Sequence, residues 1–314
     1  MPSNDDFASA IAAAQNRADE ILAKRKIARD RRAVVLAEYL KTAKSDAQII
    51  DAVSSVGSSG VKTVGFLVAA GDSWFDYPRH DVIKLLEDNH GYNVESAAHR
   101  GDPIEAMAYQ GGQLDKFARG LEKIVAQGGT PKAALLSGGG NDIAGNEFGM
   151  LLNNATSAIG GWNSNIVAGV LERILAAFRS MIISINRICQ QDIGRTIPIL
   201  VHGYDYPVPD GRGFWGGWPF PGPWLEPGFR EKLFKDLQAT TLLMRDIISK
   251  FNTMLGEVSK DSLCSNVHYV NLLGTLSSDL IKDDYKKSWE NELHPNEQGF
   301  AKIAAKFAEV LDAL

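Results

Sequence analysis

Apolar residues fall along this chain in two regimes. Within residues 7–52 they recur at helical spacing, as Ile11, Ala14, Ala18, Ile21 and Leu22 and then Val35, Leu36, Tyr39 and Leu40, in a stretch rich in Ala, Lys, Arg, Glu and Leu without Gly or Pro. Steps of three and four keep such side chains on one face, so the pattern predicts one or two long helices, with Ser3, Asn4 and Asp5 as caps. From Val61 onward, short continuous apolar runs alternate with helical patterns, the signature of βαβ units around a parallel sheet. The runs at 64–70, 92–97, 133–137, 197–202 and 267–272 predict strands, and the segments near 80–89, 103–126, 166–190, 229–257 and 295–313 predict amphipathic helices covering the sheet.

The expected fold class is therefore α/β, a doubly wound three-layer sandwich with a central, mainly five-stranded parallel sheet, preceded by an N-terminal helical segment. The stretch Ser54-Ser55-Val56-Gly57-Ser58-Ser59-Gly60 reads as a flexible linker, which divides the chain into a helical segment at 1–60 and a main domain at 61–314. Two stretches break the rhythm. One is Gly/Asn-rich, at 153–165. The other, at 210–224, carries Phe214, Trp215, Trp218, Phe220 and Trp224 among glycines and prolines, and reads as an ordered loop near a binding site.

Charge narrows the partners. A net charge of −5 disfavours nucleic acid and anionic lipid, so neither is expected as a partner. Lys24, Arg25, Lys26, Arg29, Arg31 and Arg32 form one basic cluster, read as a solvated helix face rather than a site for an acidic partner. The two cysteines, Cys189 and Cys264, build neither a disulfide framework nor metal-ligand spacing, and are expected to be reduced packing residues. Met1-Pro2-Ser3-Asn4-Asp5-Asp6 is acidic where a secretory leader is basic, and no apolar run approaches the ~20 residues of a membrane span, so the expected location is cytoplasmic.

Three strand ends carry candidate chemistry. Gly71-Asp72-Ser73 follows the first apolar run and precedes Trp74-Phe75. Ser137-Gly138-Gly139-Gly140-Asn141-Asp142 follows the third, where glycines allow a ligand close to the backbone and Asn141 offers amide donors. That segment lacks both the Gly-Lys-Ser/Thr of a phosphate loop and the spacing of a dinucleotide site, so no cofactor is expected. His294 lies after the fifth, just before the last helix, with Pro295 placed to begin that helix. In a parallel sheet these ends open on one edge, so Ser73, Asn141 and His294 can converge.

In this set the chain resembles the SGNH hydrolases, the GDSL-type esterases and lipases. Gly71-Asp72-Ser73 is similar to the first family block, Gly101 in His99-Arg100-Gly101-Asp102 to the second, Gly139-Gly140-Asn141-Asp142 to the third, and His294-Pro295 to the last. The resemblance spans roughly 62–314, keeps the family's order and implies the flavodoxin-like form of the sandwich. It also implies ester hydrolysis without a metal. Ser73 would be the nucleophile and His294 the base, with an oxyanion hole from the Ser73 and Gly101 N–H groups and the Asn141 side chain. The substrate would be a small-molecule or glycan ester of a small acyl or acetyl group.

The chain departs from the family pattern at Asn291, where an Asp is usual three residues before the histidine. Asn can accept a hydrogen bond from the imidazole but carries no charge. Three readings follow: a Ser-His dyad oriented by Asn291 or a backbone carbonyl, a substitute carboxylate in Glu290 or Glu292, or weakened activity. The last makes an alternative function, a binding or assembly protein that self-associates through its N-terminal helices.

Overall fold

The computed structural model of the protein describes residues 4–42, 63–145, 147–217, 219–261 and 264–314. The predicted linker at 54–60, and residues 43–52 of the predicted helical segment, lie outside them. Helix α1 (Asn4–Thr42) is followed by β1 (Gly65–Ala70), α2 (Val82–His90), β2 (Tyr92–Ser96), α3 (Ile104–Gln110), α4 (Gly112–Ala126) and β3 (Pro131–Leu136). Then come a one-turn α5 (Gly140–Ile143), a small hairpin of β4 (Leu152–Asn153) and β5 (Gly161–Trp162), and the long α6 (Ser164–Ile193). The chain ends with β6 (Ile199–His202), α7 (Glu226–Glu231), α8 (Leu237–Val258), β7 (Val267–Val270) and α9 (Glu297–Asp312).

Five strands form one parallel sheet in the order β2-β1-β3-β6-β7. Leu67–Ala70 of β1 and Ala133–Leu136 of β3 are buried on both faces, which is why these strands read as continuous apolar runs. Helices α2 and α9 pair on one face, and α4 and α8 lie against the other with α6 packed on them. The fold is thus the expected three-layer α/β sandwich. In this strand order the chain leaves β1 for one side and returns to the other at β3. The crevice between their carboxyl ends is the topological switch point where ligands bind in such sheets.

Several boundaries differ from expectation for local reasons. The predicted helix at 103–126 is two helices, because Gly111 adopts a left-handed φ of 76° and ends the first. The helix predicted from 229 is split by Leu233, also at positive φ, so α8 starts at Leu237 with Asp236 capping Gln238 N–H at 2.9 Å. Pro295 does not begin the last helix: Asn296 is its cap, accepting the Gly299 N–H at 3.0 Å, and α9 starts at Glu297.

The basic cluster on α1 is corrected in part. Ala14, Ala18, Ile21 and Leu22 are buried where α1 packs on α6 and α4, and Arg25, next in that phase, is only 6% exposed. Its guanidinium forks onto both carboxylate oxygens of Glu122, and Arg29 reaches Glu122 at 3.5 Å and Asp192 at 3.4 Å. A buried cation needs such a partner, so Arg25, with the more exposed Arg29 beside it, fastens α1 to its own chain, while Lys24, Lys26 and Arg31 face solvent as expected. Among the described residues no helix is long and apolar enough to cross a membrane.

Candidate active site

The sharp exit from β1 aims Ser73 into the switch-point crevice. A Cβ on Gly71 would lie 2.8 Å from both a Phe75 ring carbon and Ser137 Cβ, so only glycine fits this approach. Gln113 holds the same residue from both sides, accepting the Gly71 N–H and donating to its carbonyl, each at 2.9 Å. Asp72 points inward, where its carboxylate accepts Ser137 Oγ–H at 2.7 Å, Tyr204 O–H at 2.5 Å and Trp74 N–H at 3.0 Å. With its oxygens occupied in this way, Asp72 shapes the turn and leaves Ser73 facing the cavity.

His294 reaches the serine from the other side of the crevice. Ser73 Oγ–H donates to His294 Nε2 at 2.8 Å. Trp74, buried behind the serine, donates its indole N–H to the Leu293 carbonyl at 3.1 Å and so ties the two loops together. The segment 289–295 is closed by a Trp289–Pro295 bridge and by the Glu290 N–H donating to the His294 carbonyl at 2.9 Å. Within that turn Asn291 Oδ1 accepts the backbone N–H groups of Leu293 and His294 at 3.0 and 2.9 Å, an Asx-type turn. Two backbone donors aimed at it identify this atom as the amide oxygen, and it lies 3.0 Å from His294 Nδ1. The proton is therefore on Nδ1 and Nε2 is the acceptor, the tautomer a general base needs. Burial pushes the His294 pKa down to about 3, so the ring is neutral throughout the neutral pH range.

The two carboxylates flanking Asn291 do not support the imidazole. Glu292, fully buried, accepts four backbone N–H groups, from Gly211, Trp224, Leu225 and Glu226 at 2.7–3.0 Å. Reciprocally, Arg212 donates to the Trp289 and Glu290 carbonyls, both at 2.9 Å. These bonds clamp the aromatic loop onto the histidine segment. Glu290 is half-buried near Arg79, His80 and Arg212, and burial nonetheless holds its pKa above the usual carboxylate value. Glu292→Ala strands the buried Leu225 N–H and leaves the three part-buried N–H groups to water, and since a buried unsatisfied group costs ~1–3 kcal/mol, the expected loss is about 3 kcal/mol. Thermal unfolding followed by circular dichroism should show Tm lowered by roughly 5–10 °C; an unchanged Tm would mean the clamp does not hold the loop.

Gly101 and Asn141 complete the set. Asn141 sits in the first turn of α5, and its Nδ2 donates to the Asp102 carbonyl at 3.2 Å, leaving its second amide proton for the cavity that it lines. Asp142 caps α3, accepting Ile104 N–H at 2.8 Å and Glu105 N–H at 3.3 Å, which fixes the loop carrying Gly101 against α5. Burial raises the Asp142 pKa to about 6. The Ser73 and Gly101 N–H groups have no protein acceptor among the described residues. Ser73, Gly101, Asn141 and His294 are thus brought to one crevice, with Asn291 buried behind His294.

Two cavities meet at Ser73. One, of about 50 Å³, is apolar and lined by Ile143, Leu225, Met244 and Ile248 beside Ser73 and His294. The other, of about 250 Å³, is lined by Tyr77, Arg100, Phe214, Pro221 and Trp224 beside the same pair. Sequence reasoning placed the aromatic loop near the site but missed Tyr77. That residue stacks on the His294 ring at 4.2 Å between centroids with planes 19° apart, and its hydroxyl accepts the Asn291 Nδ2–H at 2.9 Å. No group of three or more metal-ligating side chains occurs among the described residues.

No family model and no curated protein sequence matches the chain. Solved structures do. A candidate GDSL-like lipase from Parabacteroides merdae is 11% identical with a TM-score of 0.46, covering 82% of this chain and 100% of its own. A GDSL-like lipase from Bacteroides thetaiotaomicron is 12% identical with a TM-score of 0.40, covering 79% and 89%. An acetylxylan esterase from Geobacillus stearothermophilus, in a catalytic-mutant form, is 14% identical with a TM-score of 0.42, covering 80% and 95%.

Proposed function

We propose that the chain is a serine-dependent hydrolase of carboxylic esters, of the SGNH type, acting on short acyl groups. One observation carries this reading: Ser73 Oγ, His294 Nε2 and Nδ1, and Asn291 Oδ1 form a continuous hydrogen-bonded relay with steps of 2.8 and 3.0 Å. A serine hydroxyl is a weak nucleophile until a neighbouring base takes its proton. As Ser73 Oγ bonds to the ester carbonyl carbon, its proton passes to His294 Nε2. The tetrahedral oxyanion is held by the Ser73 and Gly101 N–H groups and the Asn141 amide. Collapse breaks the bond to the alcohol oxygen, which leaves with the proton from His294. Water, deprotonated by the same imidazole, then attacks the acyl-serine and releases the acid.

The two cavities support a division of the substrate. At ~10–15 Å³ per water-sized group, the apolar cavity of about 50 Å³ admits roughly three or four heavy atoms, which suits an acetyl to butyryl chain. The wider cavity, walled by Tyr77, Phe214 and Trp224, suits the alcohol, and its flat aromatic faces are apt for a sugar ring. The expected result with p-nitrophenyl esters is a kcat/KM that is highest at acetate to butyrate and falls by roughly tenfold or more at octanoate, since a single methylene that does not fit is worth ~1–3 kcal/mol. Rising kcat/KM along the series would contradict the division. The assembly alternative has less support, since the apolar stripe from Ala14 to Leu22 and the cations Arg25 and Arg29 are engaged within the chain.

A further inference from the structure

Proton transfer from Ser73 leaves a positive charge on His294, and the surroundings of that ring are poorly suited to one. His294 is 6% exposed, and burial lowers its basicity. The partner of Nδ1 is an amide oxygen, Asn291 Oδ1. Both oxygens of Glu292 are taken by backbone N–H groups. An amide orients an imidazolium without neutralising it.

Trp224 meets the imidazole edge-on at 5.6 Å and 74°, and the flat face of the imidazole is covered by the ring of Tyr77. At 4.2 Å and 19° the two rings lie nearly parallel, well inside the ~6 Å within which a cation is attracted by an aromatic face, and desolvation strengthens that attraction. Tyr77 is itself held in place. It is 7% exposed, its hydroxyl is bonded by Asn291, and its ring meets Phe214 at 5.7 Å and 88° and Phe300 at 5.9 Å. It lies four positions after Ser73, on the loop that carries the nucleophile, so the stack also joins that loop to the histidine segment.

We infer that Tyr77 is a positioning residue for this reaction, whose ring face stabilises the His294 imidazolium formed during attack and so stands in for the absent carboxylate. The inference rests on the ester-hydrolase reading. Its physical content is differential: the neutral ring is stacked before attack, but the electrostatic part of the attraction grows only as the charge develops, so it lowers the barrier instead of merely binding the ground state.

The test is a series at position 77 from Tyr77→Phe, as reference, through mono-, di- and trifluorinated phenylalanines. Fluorine drains the ring face while scarcely changing its size, so a packing role would not move along the series. The readouts are the rate of Ser73 labelling by a fluorophosphonate and kcat on a short-chain ester. The expected result is a steady fall in the logarithm of both, to roughly tenfold below the reference at the trifluoro ring, and a flatter series in an Asn291→Asp background, where a carboxylate carries the charge. Labelling that stays constant along the series overturns the role of Tyr77 while leaving the hydrolase reading intact. A slope equally steep in the Asp background overturns the claim that the ring replaces a carboxylate. Absence of Ser73 labelling in the natural, folded protein overturns the hydrolase reading and this inference with it.

Discussion

Ser73→Ala is expected to lower turnover of a short-chain ester by roughly 10⁴–10⁶-fold, and His294→Ala by a comparable factor, with the double variant no slower than either. The lack of additivity follows from the geometry. In the proposed mechanism the 2.8 Å bond between Ser73 Oγ and His294 Nε2 makes one device, in which the base has no catalytic purpose without the proton it removes and the hydroxyl is inert without the base. Steady-state kinetics on all three variants, with folding checked by circular dichroism, measures this. Losses that simply multiply would show that the two residues act separately.

Asn141→Ala should lower kcat by about 10²–10³-fold and leave KM nearly unchanged. The Asn141 amide is fixed before substrate arrives, because one proton is committed to the Asp102 carbonyl and the short helix α5 begins at Gly140, one residue earlier. In the proposed mechanism its remaining proton meets the charge that develops on the carbonyl oxygen, so its removal is expected to weaken the transition state more than the bound ester. Asn141→Asp, of equal size but without the donor, is expected to be at least as slow. A loss confined to KM would instead make Asn141 a ground-state contact.

The sheet was legible because burial on both faces makes β1 and β3 uninterrupted apolar runs, a pattern that needs no long-range information. Ser73 and Asn141 were legible for the same reason, each closely following such a run at the carboxyl edge of the parallel sheet, whereas His294 lies 24 residues beyond Val270 at the end of β7 and was marked by its place before the last helix. What escaped depends on contacts between distant segments. Nothing in the sequence around Glu292 shows that its carboxylate serves a loop 66 to 81 residues earlier, and beside Asn291 it looked like a support for the base. Tyr77 sits in a loop, where an aromatic residue carries no period to mark it. Arg25 could have been found: it continues the helical phase of Ala14, Ala18, Ile21 and Leu22, and an arginine in an apolar phase calls for a buried acid, which Glu122 provides.

Exposure of the native protein to a fluorophosphonate, followed by peptide mapping of the adduct, tests whether Ser73 is a nucleophile activated by His294. One adduct is expected, on Ser73, formed rapidly in the natural chain and not formed in His294→Ala. A well-folded protein that takes up no label, or carries it on another residue, would contradict the assignment of Ser73 as a nucleophile activated by His294.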